Sequence, residues 1–201
     1  MINCTVNGKK RSFDIDPTKR LREMLLMNGN FAVRDSDDAE GFCGSDTVLL
    51  DGTPVFSNLV LAGEAEGCEI VTPDSLGNSM HLTVVQQALI DAGVVQSAYN
   101  APAAALLMTW LFDNNPDPSR EDVKDVLSGI FIRDAGYEQY YLAAELIKEK
   151  LATGEYKSKI APEFRPNLKA VGKVMPKVDA PQLVSGERAF VEDYVDESSL
   201  S

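Results

Sequence analysis

The side chains best suited to redox or metal chemistry are three cysteines, Cys4, Cys43 and Cys68, and a single histidine, His81. Their spacing is irregular, and taken by themselves they form no metal-ligand pattern. An odd number of cysteines fits reduced thiols better than a disulfide framework. With one histidine, a metal could not be shared between two imidazoles, and any Ser-His-Asp set would have to use His81. His81 sits at a composition break and reads as structural. No G-x-G-x-x-G or P-loop occurs. Cys43 stands apart, because it lies in a glycine-bearing, acidic, aperiodic stretch running from Arg34 to Ser45, which reads as a loop.

A net charge of −12 argues against nucleic-acid binding, which needs a basic footprint on phosphate. It also argues against attraction to an anionic membrane surface. No apolar run reaches the length of a membrane span, and the N-terminus lacks a secretory apolar region, so a cytoplasmic location is expected.

The elements around these residues fall into two halves. Cys4 and Val6 alternate with polar neighbours, Asn7-Gly8 supplies a hairpin turn, and Phe13 and Ile15 resume the alternation. Asp16-Pro17 reads as an N-cap and first helical position, opening a helix with Leu21, Met24 and Leu25 on one face, Met24 and Met27 packing together, and Gly29 as its stop. Thr47–Leu50, Asp51-Gly52 and Val55-Phe56 read as a second hairpin, and Cys68–Thr72 as a last strand. Cys4 and Cys68 are expected in the core. This order is that of a β-grasp domain, residues 1–77.

Composition changes after Leu76-Gly77, and the periodicity becomes helical. Helices are expected over about Thr83–Ala92, from Pro102 to Asn114, from a capping box at Ser119–Asp122 to Ser128-Gly129, and across Tyr140, Tyr141, Ala144, Leu146, Ile147 and Leu151. They make a four-helix bundle, residues 78–153. Residues 154–201 read as an extended linker punctuated by Pro162, Pro166, Pro176 and Pro181, basic from Lys157 to Lys177 and acidic from Glu187 to Glu197. The fold class is α+β: a β-grasp, ferredoxin-like domain, then a four-helix bundle, then an extended C-terminal linker.

Several stretches are more specific. Gly41-Phe42-Cys43-Gly44-Ser45-Asp46-Thr47-Val48-Leu49 with Gly52 and Pro54-Val55 resembles the first cluster loop of the xanthine dehydrogenase and aldehyde oxidoreductase family, the molybdenum hydroxylases. Val85-Gln86-Gln87-Ala88, Asp91-Ala92-Gly93, Gln96-Ser97-Ala98-Tyr99-Asn100-Ala101-Pro102 and Leu127-Ser128-Gly129 through Gly136-Tyr137 resemble its second cluster motifs. Val171-Gly172-Lys173 through Asp179-Ala180 and Gly186–Asp193 resemble the opening of its molybdenum-binding region. The resemblance covers essentially the whole chain and is greatest to the fused, selenium-dependent xanthine dehydrogenase or hypoxanthine oxidase type, whose cluster motifs are degraded.

The family holds two [2Fe–2S] clusters on thiolates, soft anionic donors that suit iron. The corresponding positions here are Asp38, Cys43, Asp46 and Asn58 for the first cluster, and Ser97, Asn100, Ile132 and Asp134 for the second. One thiolate remains of eight. The resemblance therefore implies a pseudo-ferredoxin portion of a purine- or N-heterocycle-hydroxylating enzyme, not catalytic as this piece alone, covering the molybdenum–pterin cofactor of an adjoining region rather than carrying electrons. In this reading the chain binds no cofactor itself, Gln96 contacts the pterin or else caps a helix end, and the partners are the molybdenum-binding catalytic region, in the same polypeptide, and an FAD-containing subunit. The alternatives are an electron carrier with at least one cluster on atypical ligands, such as Asp38, Cys43 and Asp46 together, and a docking module with no link to molybdenum.

Overall fold

The structure, a computed structural model, describes residues 1–30, 32–34, 40–154 and 177–190. Asp38 and the motif stretches Val171–Pro176 and Val191–Asp193 lie outside these residues, as do Pro162, Pro166 and the charges from Lys157 to Lys173 and from Glu192 to Glu197.

A five-stranded mixed sheet forms the first half. β1 (Ile2–Val6), β2 (Lys9–Phe13), β3 (Thr47–Leu50), β4 (Thr53–Phe56) and β5 (Glu69–Val71) are ordered β2-β1-β5-β3-β4. Only the β1–β5 pair is parallel, with Thr5 opposite Glu69 and Val6 opposite Ile70. Both hairpins turn through two residues of positive φ, Asn7-Gly8 and Asp51-Gly52, the geometry that matches the twist of the flanking strands. α1 (Leu21–Met27) lays Leu21, Met24 and Leu25 on the sheet, all fully buried with Val6, Val48 and Ile70.

Three local expectations change here. Asp16 does not cap α1: its carboxylate accepts from the Thr18 N–H and hydroxyl, closing a separate turn, and the helix begins after Arg20. Met27 is the last residue of α1 and is 61% exposed, so it does not join Met24 in the core. Cys68 stands one residue before β5, next to the Gly67 turn, and is half-buried rather than core.

The second half packs α2 (Val84–Asp91), α3 (Ala101–Asn114), α4 (Arg120–Val126) and α5 (Tyr137–Thr153) around one core. The stretch from Ala101 to Met108 is buried on every side, as befits a central helix apolar all round. Thr83 and Ser119 cap α2 and α4, each accepting from the amide three residues on. Leu151 is exposed, near the free end of α5. The expected extended linker differs at 180–185, where α6 (Ala180–Ser185) buries Ala180, Leu183 and Val184 in this same core. Pro181 stands in its first turn, where a missing N–H costs nothing.

At α4 the Asp122 carboxylate is held below the usual range, first by the Ser119 backbone N–H and then by its hydroxyl. A depressed folded pKa means this stabilisation is present above the ordinary carboxylate pKa of about 3.9 and is lost as pH falls through the depressed value. Amide-exchange protection in the first turn of α4 is therefore expected to drop on acidification, and Asp122→Asn to remove that pH dependence.

The two halves are sutured at several points. The Cys43 carbonyl accepts from the Phe131 N–H at 3.0 Å, and the Trp110 indole donates to the Gly52 carbonyl at 2.7 Å. Gly44, at φ +74, lies so close to the helical half that a Cβ there would meet the Gly129 carbonyl oxygen at 2.2 Å.

Candidate functional site: the two cluster-position loops

Cys43 is buried in the first loop, its sulfur 3.0 Å from the Ser45 hydroxyl. Asp46, also buried, turns its carboxylate onto the backbone of its own sheet: Oδ2 accepts from the Asn58 N–H at 2.6 Å and from the Ser57 hydroxyl at 3.4 Å. Ser57 also closes on the Asp46 carbonyl at 2.7 Å. The structure thus brings Asp46 and Asn58 together, but as an internal acceptor and its donor. Asn58 buries its amide as well, and an NH2 group cannot ligate a metal.

The second set converges more fully. Ser97 stands in the loop between α2 and α3, and Asn100 is the residue before α3. Asp134 comes from the loop before α5. The Ser97 hydroxyl donates to Asp134 Oδ2 at 2.7 Å and contacts Asn100 Oδ1 at 3.1 Å. Tyr140, in the second turn of α5, hydrogen-bonds the Asn100 amide. Burial pushes its phenol far above the usual range, with the charge of Asp134 adding to the rise. Ile132 offers only hydrocarbon and lines a cavity of about 260 Å3 with Leu127, Ile130 and Phe131. Two loops 37 residues apart, and the start of α5, are thereby tied by side-chain hydrogen bonds between neutral groups and one carboxylate.

Gln96 is exposed and donates its amide Nε2 to the Gly93 carbonyl at 2.9 Å, just past the end of α2. That contact leaves the side chain on the surface. His81 is exposed in a small bridge with Asn78. Among the described residues no group of three or more His, Cys, Asp or Glu side chains could hold a metal ion, and no helix is long and apolar enough to cross a membrane.

Arg34 is a residue that sequence reasoning overlooked. Its buried guanidinium donates to the carbonyls of Gly186 at 3.1 Å and Arg188 at 2.7 Å, and lies over the Phe190 ring with 5.4 Å to its centroid. Nothing local distinguished it, since its partners lie some 150 residues away in the sequence. Tyr140 read only as an apolar position of a helix, and its polar end was equally invisible.

Residues 72–145 match the family model described as a [2Fe-2S] binding domain. The chain is 42% identical over 195 residues to a probable hypoxanthine oxidase of Escherichia coli (strain K12), covering 97% of this chain and 20% of that protein. It thus spans about a fifth of the length of the curated relative it matches at that identity. It is 33% identical over 151 residues to the nicotinate dehydrogenase small FeS subunit of Eubacterium barkeri, covering 75% of this chain and 96% of the relative. Among solved structures, the aldehyde oxidoreductase of Desulfovibrio desulfuricans superposes with a TM-score of 0.82 at 26% identity, over 96% of this chain and 22% of the other. The quinoline 2-oxidoreductase of Pseudomonas putida 86 superposes with a TM-score of 0.68 at 32% identity, over 77% of this chain and 96% of the other.

These likenesses correct the expectation that the chain binds no cofactor. A match to a [2Fe-2S] binding domain, together with relatives that are small iron–sulfur subunits, points to a bound [2Fe–2S] cluster. The donors present are another matter. Four thiolates make the ordinary site, whereas the described positions carry Cys43, Asp46 and Asn58 at one loop and Ser97, Asn100, Ile132 and Asp134 at the other. These residues do not fit an all-thiolate cluster. The scaffold nonetheless follows the relatives along nearly its whole length. The chain belongs to the [2Fe–2S] domains of the xanthine dehydrogenase and aldehyde oxidoreductase family, the molybdenum hydroxylases.

Proposed function

We propose that this chain is the N-terminal, ferredoxin-like unit of a molybdenum hydroxylase acting on a purine or related N-heterocycle, and that it docks on and covers the molybdenum–pterin region. The observation that carries this reading is the locking of the two cluster-position loops onto each other. The Cys43 carbonyl receives the Phe131 N–H, and Gly44 presses on Gly129. Main-chain contacts between the halves hold the shape of this face, while Ser97, Asn100, Asp134 and Tyr140 brace the second loop from within. Gln96, exposed at that loop, stands where it can reach a neighbouring region.

The substrate class rests on the 42% identity to a probable hypoxanthine oxidase. The catalytic region is proposed in the same polypeptide, supported by the tail's likeness to the start of a molybdenum-binding region. An FAD-containing subunit is a proposed further partner, and the cytoplasm the proposed location. The domain division 1–77, 78–153 and 154–201 is likewise a proposal; two separate cores support its first boundary, whereas α6 packs into the second core.

A second reading has its own support, and the comparisons favour it over docking alone: electron carriage through at least one [2Fe–2S] cluster on atypical ligands. The family model and the small FeS relatives speak for it. Iron and sulfide analysis of the purified chain after anaerobic reconstitution separates the two. Two irons per cluster, with visible charge-transfer bands and a paramagnetic signal on reduction, would establish electron carriage and overturn docking as the sole role. Substoichiometric iron without those signals would refute electron carriage.

A further inference from the structure

Cys4 and Cys68 are far apart in sequence and side by side in the sheet. In the parallel β1–β5 pair Thr5 lies opposite Glu69, and the Thr5 N–H donates to the Cys68 carbonyl at 2.9 Å. One residue back from that pair, Cys4 and Cys68 adjoin where the ladder begins. Side chains alternate along a strand, so residues two apart share a face. Val6 and Ile70 share the buried face; Cys4, two residues before Val6, is buried with them, and Cys68, two residues before Ile70, is half-buried at its edge. Neighbouring strands run roughly 4.7–4.9 Å apart, inside the range of about 4.4–6.8 Å over which a disulfide spans two α-carbons. Each thiol is close enough for the charge of Cys68 to raise Cys4 further, after burial has already raised both.

Access is unequal. Cys4 is 6% exposed, whereas Cys68 is half-buried at the surface turn of Gly67, its thiol directed at the Glu64 carbonyl. The geometry points to a reversible cross-strand disulfide between Cys4 and Cys68, a redox modification site that ties the N-terminal strand to the strand beside it. The oxidant is a small-molecule disulfide. The Cys68 thiolate attacks one of its sulfurs, breaking that S–S bond and releasing one small thiol. The Cys4 thiolate then attacks the Cys68 sulfur, forming the protein disulfide and releasing the second small thiol. Two protein thiols are oxidised, one small disulfide is reduced, and the two protons end on the released thiols. Burial, with the Asp51 carboxylate beside Cys68 and the Glu66 carboxylate near Cys4, keeps the thiolate fraction low, so the exchange is slow near neutrality and faster at alkaline pH.

The test is titration of the reduced full-length chain with oxidised glutathione, followed by thiol counting and mass mapping without reduction. Free thiols should fall from three to one per chain, with a single cross-linked peptide pair carrying Cys4 and Cys68, Cys43 untouched, and the thermal midpoint raised until reductant is added. Cys4→Ser should stop at a glutathione adduct on Cys68. Cys68→Ser should leave the remaining thiols unreacted at the same oxidant concentration. Retention of all three thiols in the wild type, or cross-links that involve Cys43 or a second chain, would overturn the assignment. So would equal thiol loss in the Cys68→Ser variant.

Discussion

Gly44→Ala is expected to lower stability by about 3 kcal/mol. Two costs combine. A left-handed φ of +74 is unfavourable for an L side chain by roughly 1–2 kcal/mol. The new Cβ would also stand 2.2 Å from the Gly129 carbonyl oxygen, a backbone atom that cannot rotate away. Overpacking of that kind typically costs about 1–3 kcal/mol. The loop must then retreat, which breaks the bond from the Phe131 N–H to the Cys43 carbonyl and opens the buried Cys43 thiol to solvent. Urea unfolding midpoints and the alkylation rate of Cys43 read both effects. Gly8→Ala and Gly52→Ala serve as controls: they have similar φ but nothing within 4 Å, so only the conformational cost of roughly 1 kcal/mol applies. If Gly44→Ala cost no more than these, the two loops would not be pressed together.

Arg34→Ala is the second large effect, at about 3 kcal/mol and concentrated on the C-terminal segment. The guanidinium is 7% exposed and serves two carbonyls of that segment while stacking on Phe190. Hydrogen bonds from a charged donor contribute roughly 1.5–3 kcal/mol each, and truncation leaves the buried Gly186 carbonyl without that donor. Limited proteolysis should cut within 177–190 far sooner in the variant, with the thermal midpoint reduced. Arg34→Lys should recover only part of the loss, because an ammonium is a single point of charge and cannot fork to both carbonyls. Unchanged proteolysis would mean that α6 is seated by Leu183 and Val184 alone.

Both effects sit where the chain leads onward. Gly44 secures the loop that faces the helical half, and Arg34 secures the segment beyond which a catalytic region is proposed. A docked unit needs such points fixed whether or not it carries electrons. The second loop is secured differently, with Ser97, Asn100, Asp134 and Tyr140 bonded where the family's thiolates would stand.

Much of this was legible in the residues. The hairpin turns at Asn7-Gly8 and Asp51-Gly52, the caps at Thr83 and Ser119 and the buried face of α1 all follow from rules that act within four residues. The change of donor types at the cluster positions is legible too, since whether a position offers sulfur, oxygen or hydrocarbon depends on residue identity alone. What that change means for bound iron was not: the comparisons corrected the inference from missing cysteines to an empty chain. Other features belong to the tertiary structure. α6 escaped because its apolar residues are few and its partners are α2 and α3, far upstream. Arg34 stood only at the start of a loop in the sequence, and its partners Gly186 and Arg188 arrive with the distant C-terminal segment. The hydroxyl of Ser97 finds Asp134 only after α5 has packed, and Cys68 is brought beside β1 only because β1 and β5 pair. Local conformation is decided by neighbours along the chain, whereas contact between distant segments is decided by burial of a shared core, and no short window of sequence contains it.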